Sequence, residues 1–392
     1  MNKRALFGAS LAALLTLAAC GGDDGSSTDT TAAAESTDTT AAAGEGVSLA
    51  GSCPETVVFQ TDWNPEAEHG FLYNLVGEGY TVNTEKLSVS GPLVVEGQDT
   101  GVKVEVRAGG PATGYQSPLA MMYQDPAITA GFISTDEAVS QSVEKPSMTM
   151  VAPFNINPQI IMWDPATYPN AKTVADLKAD KVKIRYFDGA AYMDYLVEAG
   201  IVDKDQADGT YDGTPANFIA AGGKDAQQGF GTSEPYFYQE VLADWKKPVA
   251  YQYIHDAGWT AYAQSIGATM ESFEANKACW PLLVPAIQKS QREYIASPDR
   301  ANALVLDLVQ QYNNGWAYDA GQAAAAVAKM QEDNLVANSP DGVLGSFDLD
   351  RVTAFIEKAT PIYTATGAKV KEGLTPADIV TNEFIDTSIA LP

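Results

Sequence analysis

Residues 57–73 read VVFQTDWNPEAEHGFLY, a strand-like run followed by a polar and aromatic segment and then a helix-like one. β-Branched and aromatic residues over 57–63 are typical of a short strand. Apolar residues then recur at helical spacing over 67–79. The stretch predicts a strand–loop–helix unit in which Trp63 and His69 follow the carboxyl end of a strand, where ligands bind in open α/β sheets.

Strand-like and helix-like segments alternate along the chain as far as residue 255. Strands are predicted at 102–106, 130–133, 148–153, 182–187 and 249–254, and helices at 115–124, 173–180, 190–199, 215–221 and from Ser233. The C-terminal part is mainly helical, with predicted helices at 280–296, 298–313, 320–332, 348–360 and 375–383. This alternation indicates an α/β fold with mainly parallel sheets.

The extended runs near 148–154 and 249–255 bracket the second set of elements, as two chain crossings between lobes would. We therefore expect one lobe to contain residues 51–153 plus 254–392 and the other to contain residues 154–253. Each lobe is expected to be a mainly parallel sheet flanked by helices, and the C-terminal part is expected to be helical.

The start of the chain, residues 1–19, has the pattern of a secretion signal: two basic residues and then an apolar run too short to span a membrane. The run ends in LAACG (17–21), which resembles the lipobox of bacterial lipoproteins, in which Cys20 is acylated and becomes the N-terminus. An ordinary signal cleaved nearby is the alternative. Residues 20–50 are predicted to form a disordered tether, because they lack aromatic side chains and repeat the sequence TDTTAAA.

The chain is strongly acidic, with 50 Asp and Glu against 24 Lys and Arg and a formal charge of −26. Phosphate binding requires basic patches, so this balance argues against a nucleic-acid partner. The sequence contains two histidines and no cluster with metal-ligand spacing, so neither a metal nor a cofactor is expected. It also lacks a recognisable nucleophile–base motif, which argues against an enzyme.

Two cysteines remain if Cys20 carries lipid. Cys53 precedes the first predicted strand, and Cys279 begins a helical stretch far downstream. Two cysteines in an exported domain often pair, so we expect a disulfide between Cys53 and Cys279. Two separate buried thiols are the alternative.

The segment TDWNPEAEHGFLY (61–73) also carries a family resemblance. Asp62, Trp63, Pro65 and His69 match the D-W-x-P-x-x-x-H opening of ABC-transporter substrate-binding proteins with SsuA/NMT-type domains. These proteins bind sulfonates, nitrate or pyrimidine precursors of thiamine. Looser similarity continues in GFISTDEA (131–138), RYFDGAAYMDYL (185–196) and GGKDAQQGFGTSEPY (222–236). The resemblance implies a type II periplasmic-binding-protein fold, with two lobes joined by a two-strand hinge and a ligand cleft between them.

The resemblance also implies a function. Such proteins capture a small-molecule solute outside the cytoplasm and deliver it to the permease of an ABC importer. Together with the lipobox, it implies a protein held at the extracytoplasmic face of the cell membrane by a lipid on Cys20. We expect this protein to act as a monomer and not as an enzyme.

The resemblance places the ligand-binding residues in the matching segments. It implies that Trp63 stacks on the ligand and that Asn64 and His69 form hydrogen bonds with it. Packing in the core is the alternative for Trp63 and His69. The complete set of candidates is Trp63, Asn64, His69, Tyr73, Thr135, Asp188, Gly189, Tyr192, Glu234 and Tyr236.

The charge of these residues favours a neutral or cationic ligand, such as a nitrogenous heterocycle. Glu234 and Tyr236 suit a cation through charge and cation–π contact. Asp188 is expected to cap a helix N-terminus, where its charge would repel an anion. Two alternatives remain open: a sulfonate or nitrate receptor that uses Arg107 or Arg185, and a pyridoxal-dependent enzyme similar to those that make the pyrimidine of thiamine.

Overall fold

The structure, a computed structural model, describes residues 47–392. The signal sequence, Cys20 and most of the tether predicted at 20–50 lie outside the described residues. Over the described range, no helix combines the length and the apolar character that crossing a bilayer requires.

Two β-sheets form the centre of the described chain. The strands of the two sheets are, in chain order, β1 (Thr56–Gln60), β2 (Thr81–Asn83), β3 (Ser88–Val95), β4 (Gln98–Arg107), β5 (Ala130–Ile133), β6 (Ser147–Val151), β7 (Gln159–Trp163), β8 (Ile184–Arg185), β9 (Ala207–Asp208), β10 (Ala226–Phe230), β11 (Ala250–Tyr253) and β12 (Ser265–Thr269). The strand order is β2-β3-β4-β1-β5-β12-β6 in the first sheet and β11-β7-β10-β8-β9 in the second. The chain crosses to the second sheet after β6 and returns after β11.

Both sheets are mixed, whereas the alternation of strands and helices in the sequence predicts mainly parallel ones. β1 pairs in parallel with β4 and β5, but β12 runs antiparallel to both of its neighbours, β5 and β6. In the second sheet β8 is parallel to β9 and β10, and β7 is antiparallel to β10 and β11. The antiparallel pairs come from the β2–β4 meander and from strands next to the crossings. The lobe boundaries at 153/154 and 253/254 stay a prediction.

Side-chain alternation explains how β4 packs on the core. Val102, Val104 and Val106 are buried, whereas Lys103 between them is exposed. Successive side chains of a strand point to opposite faces, so this pattern places one face of β4 on the core and the other towards solvent. β7 (QIIMW) is buried over four of its five residues, as expected for a strand covered on both faces.

Helices cover the sheets and make up most of the C-terminal part. Their bounds are α1 (Gly70–Tyr73), α2 (Pro118–Gln124), α3 (Thr135–Ser140), α4 (Ala191–Glu198), α5 (Ala216–Ala220), α6 (Glu234–Tyr236), α7 (Met270–Ala275), α8 (Trp280–Ala296), α9 (Asp299–Tyr312), α10 (Ala320–Glu332) and α11 (Leu349–Ala365). α8 and α10 have the predicted bounds. The helix predicted at 375–383 is wrong, because that segment contains a single 3₁₀ turn, Pro376–Asp378.

The helix predicted at 67–79 is also shorter than expected. A 3₁₀ turn, Ala67–His69, leads into α1, which ends at Tyr73. The carbonyl of Leu75 accepts a hydrogen bond from the Val94 N–H of β3 at 2.9 Å. Pairing with the first sheet therefore replaces the helical hydrogen bonds that would have continued α1.

A disulfide joins Cys53 to Cys279, and their Cα atoms are 4.5 Å apart. Cys53 lies just before β1, and Cys279 is the residue before α8. The bond therefore fastens the beginning of the described chain to the N-terminus of α8, a helix of 17 residues.

Arg351, in the first turn of α11, hydrogen-bonds both chain crossings. Its Nη1 donates to the carbonyl of Asn155 at 2.6 Å, in the crossing after β6. Its Nε donates to the carbonyl of Thr260 at 2.8 Å and its Nη2 to that of Ala261 at 3.2 Å, in the crossing after β11. The guanidinium also lies over the ring of Tyr262, 3.7 Å from its centroid. One side chain thus holds both crossings to the same helix.

Candidate ligand-binding site

Two adjoining chambers open around Trp63. With their open mouths included, the first chamber has a volume of about 670 Å³ and the second about 990 Å³. Asp62, Trp63, Phe187 and Gln264 line both chambers, so the chambers meet at these four side chains.

Both sheets contribute to this cavity. Asp62 and Trp63 follow β1, and Phe187 follows β8, so all three lie beyond the carboxyl ends of parallel strands. Ligands in α/β folds bind in this position. Gln264 comes from the returning crossing and directly precedes β12.

The ring of Trp63 is surrounded by aromatic side chains from three other segments. Its centroid lies 5.9 Å from that of Tyr115, 6.5 Å from that of Phe187 and 6.1 Å from that of Trp316. Gly110 has a φ of +58° and allows the backbone to approach the ring, since a Cβ there would be 2.7 Å from Trp63 Cε3. Trp63 is half-buried and borders both chambers, which is where a stacking platform would lie.

His69 lies behind the cavity wall. It is fully buried, and its Nε2 is 2.9 Å from Oδ1 of Asp62. The amide Nε2 of Gln264 donates to Oδ1 and Oδ2 of the same carboxylate at 3.1 and 3.0 Å. His69 lines neither chamber and meets the site through two carboxylates, that of Asp62 and that of Glu66, whose Oε1 is 3.5 Å from the same Nε2.

Four carboxylates line the first chamber: Asp62, Glu66, Glu68 and Glu234. Burial raises the pKa of Glu66 well above its usual value, and the neighbouring carboxylates raise it further. Burial also raises the pKa of Glu68, and it raises the pKa of Glu234 to about 7. A nearby positive charge would offset these effects.

Hydrogen bonds hold two of these carboxylates in place. Oε2 of Glu234 accepts the backbone N–H of Phe230 at 2.6 Å, and the Thr232 hydroxyl donates to Oε1 of Glu68. Oε2 of Glu68 and Oε1 of Gln264 are buried and have no hydrogen-bond partner in the described part of the chain. Buried acceptors are normally paired, so these two suit a ligand that donates hydrogen bonds.

Neither chamber is lined by a lysine or an arginine of the described chain. Arg107 forms ion pairs with Glu105 and Asp125, both at 2.7 Å. Arg185 is 2.7 Å from Asp225 and also contacts Asp208. The two arginines considered for an anionic ligand are therefore engaged elsewhere. No three His, Cys, Asp or Glu side chains within 47–392 are grouped so as to hold a metal ion.

Several predicted ligand residues are buried in structural roles. Oδ1 of Asn64 accepts a hydrogen bond from Nδ2 of Asn314 at 2.7 Å, and Tyr73 is fully buried in the core. Oγ1 of Thr135 accepts the N–H of Tyr262 at 2.9 Å. Asn64, Tyr73 and Thr135 line neither chamber.

The remaining candidates lie on the second sheet's side of the site. Asp188 lines the second chamber, but the residue that caps α4 is Ala190, so the expectation that Asp188 caps this helix is wrong. Gly189 is exposed beside it. The Tyr192 hydroxyl donates at 2.8 Å to Gln228, which lines the first chamber. Tyr236 lines neither chamber, although it shares α6 with Glu234.

Sequence reasoning missed several residues that line the first chamber. Phe187, Tyr211 and Trp316 supply much of its aromatic wall, and Gln264 supplies its free amide oxygen. The sequence could have indicated Trp316, because a tryptophan in the loop sequence NNGWAYD has no helical face to pack on. It contains no comparable pattern that would indicate Tyr211 or Gln264.

Glu234 should make the ligand-free protein lose stability as the pH rises. Its pKa of about 7 in the folded protein is above that of an unfolded glutamate, so the folded state binds its proton more tightly. The resulting stabilisation is complete at acidic pH and is lost as the pH rises through about 7. Between pH 6 and pH 8, the wild type should lose roughly 1 kcal/mol more of its free energy of unfolding than Glu234→Gln.

Urea unfolding at each pH measures this difference. Glu85→Gln removes the same charge from an exposed position and should follow the wild type. Glu66 and Glu68 titrate in all three proteins, but both interact with Glu234, so the difference measures the titration of Glu234 together with this coupling. Equal losses in the wild type and Glu234→Gln would contradict the raised pKa.

Comparison with known proteins identifies the fold. No protein-family model matches the chain, and no curated protein matches it in sequence. A protein from Bordetella bronchiseptica RB50 matches with a TM-score of 0.52 at 15% identity, covering 84% of this chain and 96% of its own. The periplasmic aliphatic sulphonate binding protein SsuA from Escherichia coli matches with a TM-score of 0.50 at 16% identity, covering 86% and 92%. As the segment 61–73 implied, the chain has the periplasmic-binding-protein fold found in SsuA.

Proposed function

We propose that this chain is an extracytoplasmic solute-binding protein that captures a cationic nitrogen compound and delivers it to the permease of an ABC importer. The fold shared with SsuA supports the binding-protein role. The lipobox supports an anchor at the cell membrane through a lipid on Cys20. In this role the chain binds its solute and catalyses no reaction.

The observation that carries the cationic ligand is the unbalanced charge of the cavity. Asp62, Glu66, Glu68 and Glu234 line the first chamber, and no described lysine or arginine faces them. Glu66 and Glu68 are buried, and His69, which lies beside Asp62 and Glu66, is one imidazole among four carboxylates. Ionising more carboxylates than the described chain can balance is costly. A bound cation removes that cost, so the site gains most from a ligand that brings positive charge.

The unpaired hydrogen-bond acceptors of the cavity indicate which kind of cation the site would bind. Oε2 of Glu68 and Oε1 of Gln264 can each accept a hydrogen bond. An ammonium, an amidinium or a protonated amino-heterocycle supplies N–H donors, whereas a quaternary ammonium supplies none. The aromatic rings of Trp63, Tyr211 and Trp316 add cation–π attraction to either kind. We therefore favour a cation with N–H groups.

Capture would use both proposed lobes. Trp63 belongs to the lobe proposed at 51–153 plus 254–392, whereas Phe187 and Glu234 belong to the one proposed at 154–253. A ligand held between them contacts both lobes, so binding favours the closed arrangement. The two chain crossings would act as the hinge.

Both alternatives have less support. A sulfonate or nitrate would enter a chamber lined by four carboxylates, while Arg107 and Arg185 are paired with acids elsewhere. A pyridoxal enzyme forms a Schiff base with a lysine, and neither chamber has a described lysine in its lining.

Mass spectrometry of the ligand released from natively purified protein tests the proposal. We expect a nitrogen compound that is positively charged at neutral pH and has at least one N–H group. Glu68→Gln protein, purified in parallel, should retain less of it, because one carboxylate of the first chamber has lost its charge. Release of a sulfonate, nitrate or another anion from the wild type would refute the cationic ligand.

A further inference from the structure

We propose that the second chamber holds a second positively charged group, so that the ligand is a dication whose two charges are joined by an apolar linker beside Trp63. This inference rests on the proposed function and names the class of its ligand. It follows from the lining of the second chamber, from the side chains at which the two chambers meet, and from an unpaired buried amide at that junction.

The second chamber has its own carboxylates. Asp62, Glu137 and Asp188 line it, and its described lining contains no lysine or arginine. Asp188 is exposed at its edge, whereas Glu137 comes from the first turn of α3, directly after β5. The negative charge of the site therefore continues past Trp63 into a separate space.

Glu137 lacks a close basic partner. Burial is the main cause that raises its pKa to about 7, the carboxylates of Asp136 and Asp62 raise it further, and Ser117 and Lys145 act in the opposite direction. The Lys145 ammonium is bonded to the amide oxygen of Gln141 at 3.3 Å, and it forms no ion pair with Glu137 among the described residues. A carboxylate in this setting is stabilised by a cation that enters the chamber.

The four side chains at which the chambers meet are two apolar and two polar ones. Trp63 and Phe187 are the apolar pair, and Asp62 and Gln264 are the polar pair. Asp62 raises the pKa of Glu66 in the first chamber and that of Glu137 in the second, so its charge acts on both. An aliphatic or aromatic linker would pack on the two rings while charged groups occupy the two ends.

Gln264 gives independent evidence for a ligand at this junction. It is 4% exposed and lines both chambers. Its amide nitrogen is committed to Asp62, while its amide oxygen has no hydrogen-bond partner in the described chain. A buried amide oxygen without a partner is costly, so an N–H of one of the ligand's two charged ends is expected to reach it from the chamber that this end occupies.

Calorimetric titration with matched amines tests the inference. The probes are α,ω-diaminoalkanes of five to eight carbons and the n-alkylamines of equal length, at pH 8, where Glu137 is mostly ionised. At least one diamine should bind the wild type about tenfold or more tightly than its monoamine, because a second ion pair forms away from water. Glu137→Gln should lower that preference severalfold, since Asp62 and Asp188 remain in the second chamber, while leaving monoamine binding within about twofold.

Two further variants separate charge from structure. Glu137→Asp keeps the charge and should retain part of the preference, and Glu85→Gln, at an exposed position, should retain all of it. Glu234→Gln should weaken diamines and monoamines alike, because it acts in the first chamber. Monoamines that bind as tightly as diamines, or a preference for diamines that is undiminished in Glu137→Gln, would overturn the dicationic ligand but would not contradict the proposed cationic receptor. If no amine of either kind binds, the dication with ammonium ends is overturned, and the cationic receptor is decided by the ligand that mass spectrometry identifies.

Discussion

Trp63→Ala should weaken binding of the solute by about thirtyfold or more, equivalent to about 2 kcal/mol. The ring borders both chambers and has aromatic neighbours at Tyr115, Phe187 and Trp316, so it is the central aromatic surface of the cavity. Removing it takes away stacking and cation–π contact together and lets water into the junction. Calorimetric titration with the solute identified by mass spectrometry measures the loss.

Trp63→Phe is the matched control, because it keeps an aromatic face at the same position. It should recover most of the affinity lost in Trp63→Ala. Trp63 is half-buried, so both variants should fold, which their unfolding midpoints will show. An affinity in Trp63→Ala close to that of the wild type would mean that the solute binds away from these chambers.

Arg351→Ala should lower the free energy of unfolding by about 3 kcal/mol or more. The substitution deletes charged hydrogen bonds to the carbonyls of Asn155, Thr260 and Ala261. It also removes the cation that lies over Tyr262. Those carbonyls belong to both chain crossings, so the loss loosens the whole connection between the sheets. Chemical unfolding followed by circular dichroism provides the measurement.

Arg292→Ala is the appropriate control for charge removal. Arg292 is paired with Glu96 on the surface, and exposed pairs of this kind contribute about 0–1 kcal/mol. Arg351→Lys keeps the charge, but its ammonium cannot reach three carbonyls as the planar guanidinium does. The free energy of unfolding of this variant should therefore remain well below that of the wild type. If Arg351→Ala and Arg292→Ala unfold at the same denaturant concentration, the stability of the two chain crossings does not depend on Arg351.

The parts of the fold that could be predicted are those encoded by local periodicity. α8 and α10 repeat apolar residues at helical spacing over 17 and 13 residues, and their bounds match the prediction. β10 could not be found in this way, because its sequence AQQGF carries two glutamines that are buried. Gln227 donates to the Tyr238 hydroxyl, and Gln228 accepts from that of Tyr192. A polar strand satisfied by distant hydroxyls leaves no apolar pattern in its own sequence.

Only part of the lining of the candidate site could be predicted, because the sequence identifies a segment but not the direction of each of its side chains. The resemblance at 61–73 marked a segment, and Trp63 in that segment faces the chambers. It did not indicate which way each side chain points, and His69 and Tyr73 point into the interior. Trp316 reaches the site from the loop after α9, where its indole nitrogen donates to the carbonyl of Pro65, 251 residues away. No local pattern encodes a contact over that distance.

The insertion of β12 between β5 and β6 sets an order for folding as an exported chain emerges from the membrane with its N-terminus first. β5 and β6 do not pair with each other, so the first sheet remains divided until residues 265–269 emerge. The second sheet is built from the continuous stretch 159–253 and can assemble before that point. A chain that has emerged only to a point between residues 253 and 265 would therefore expose an open edge of β5 and a detached β6, both prone to aggregation. Completion of the first sheet, and with it the placement of Gln264 in the ligand cavity, is delayed until about two-thirds of the polypeptide has emerged.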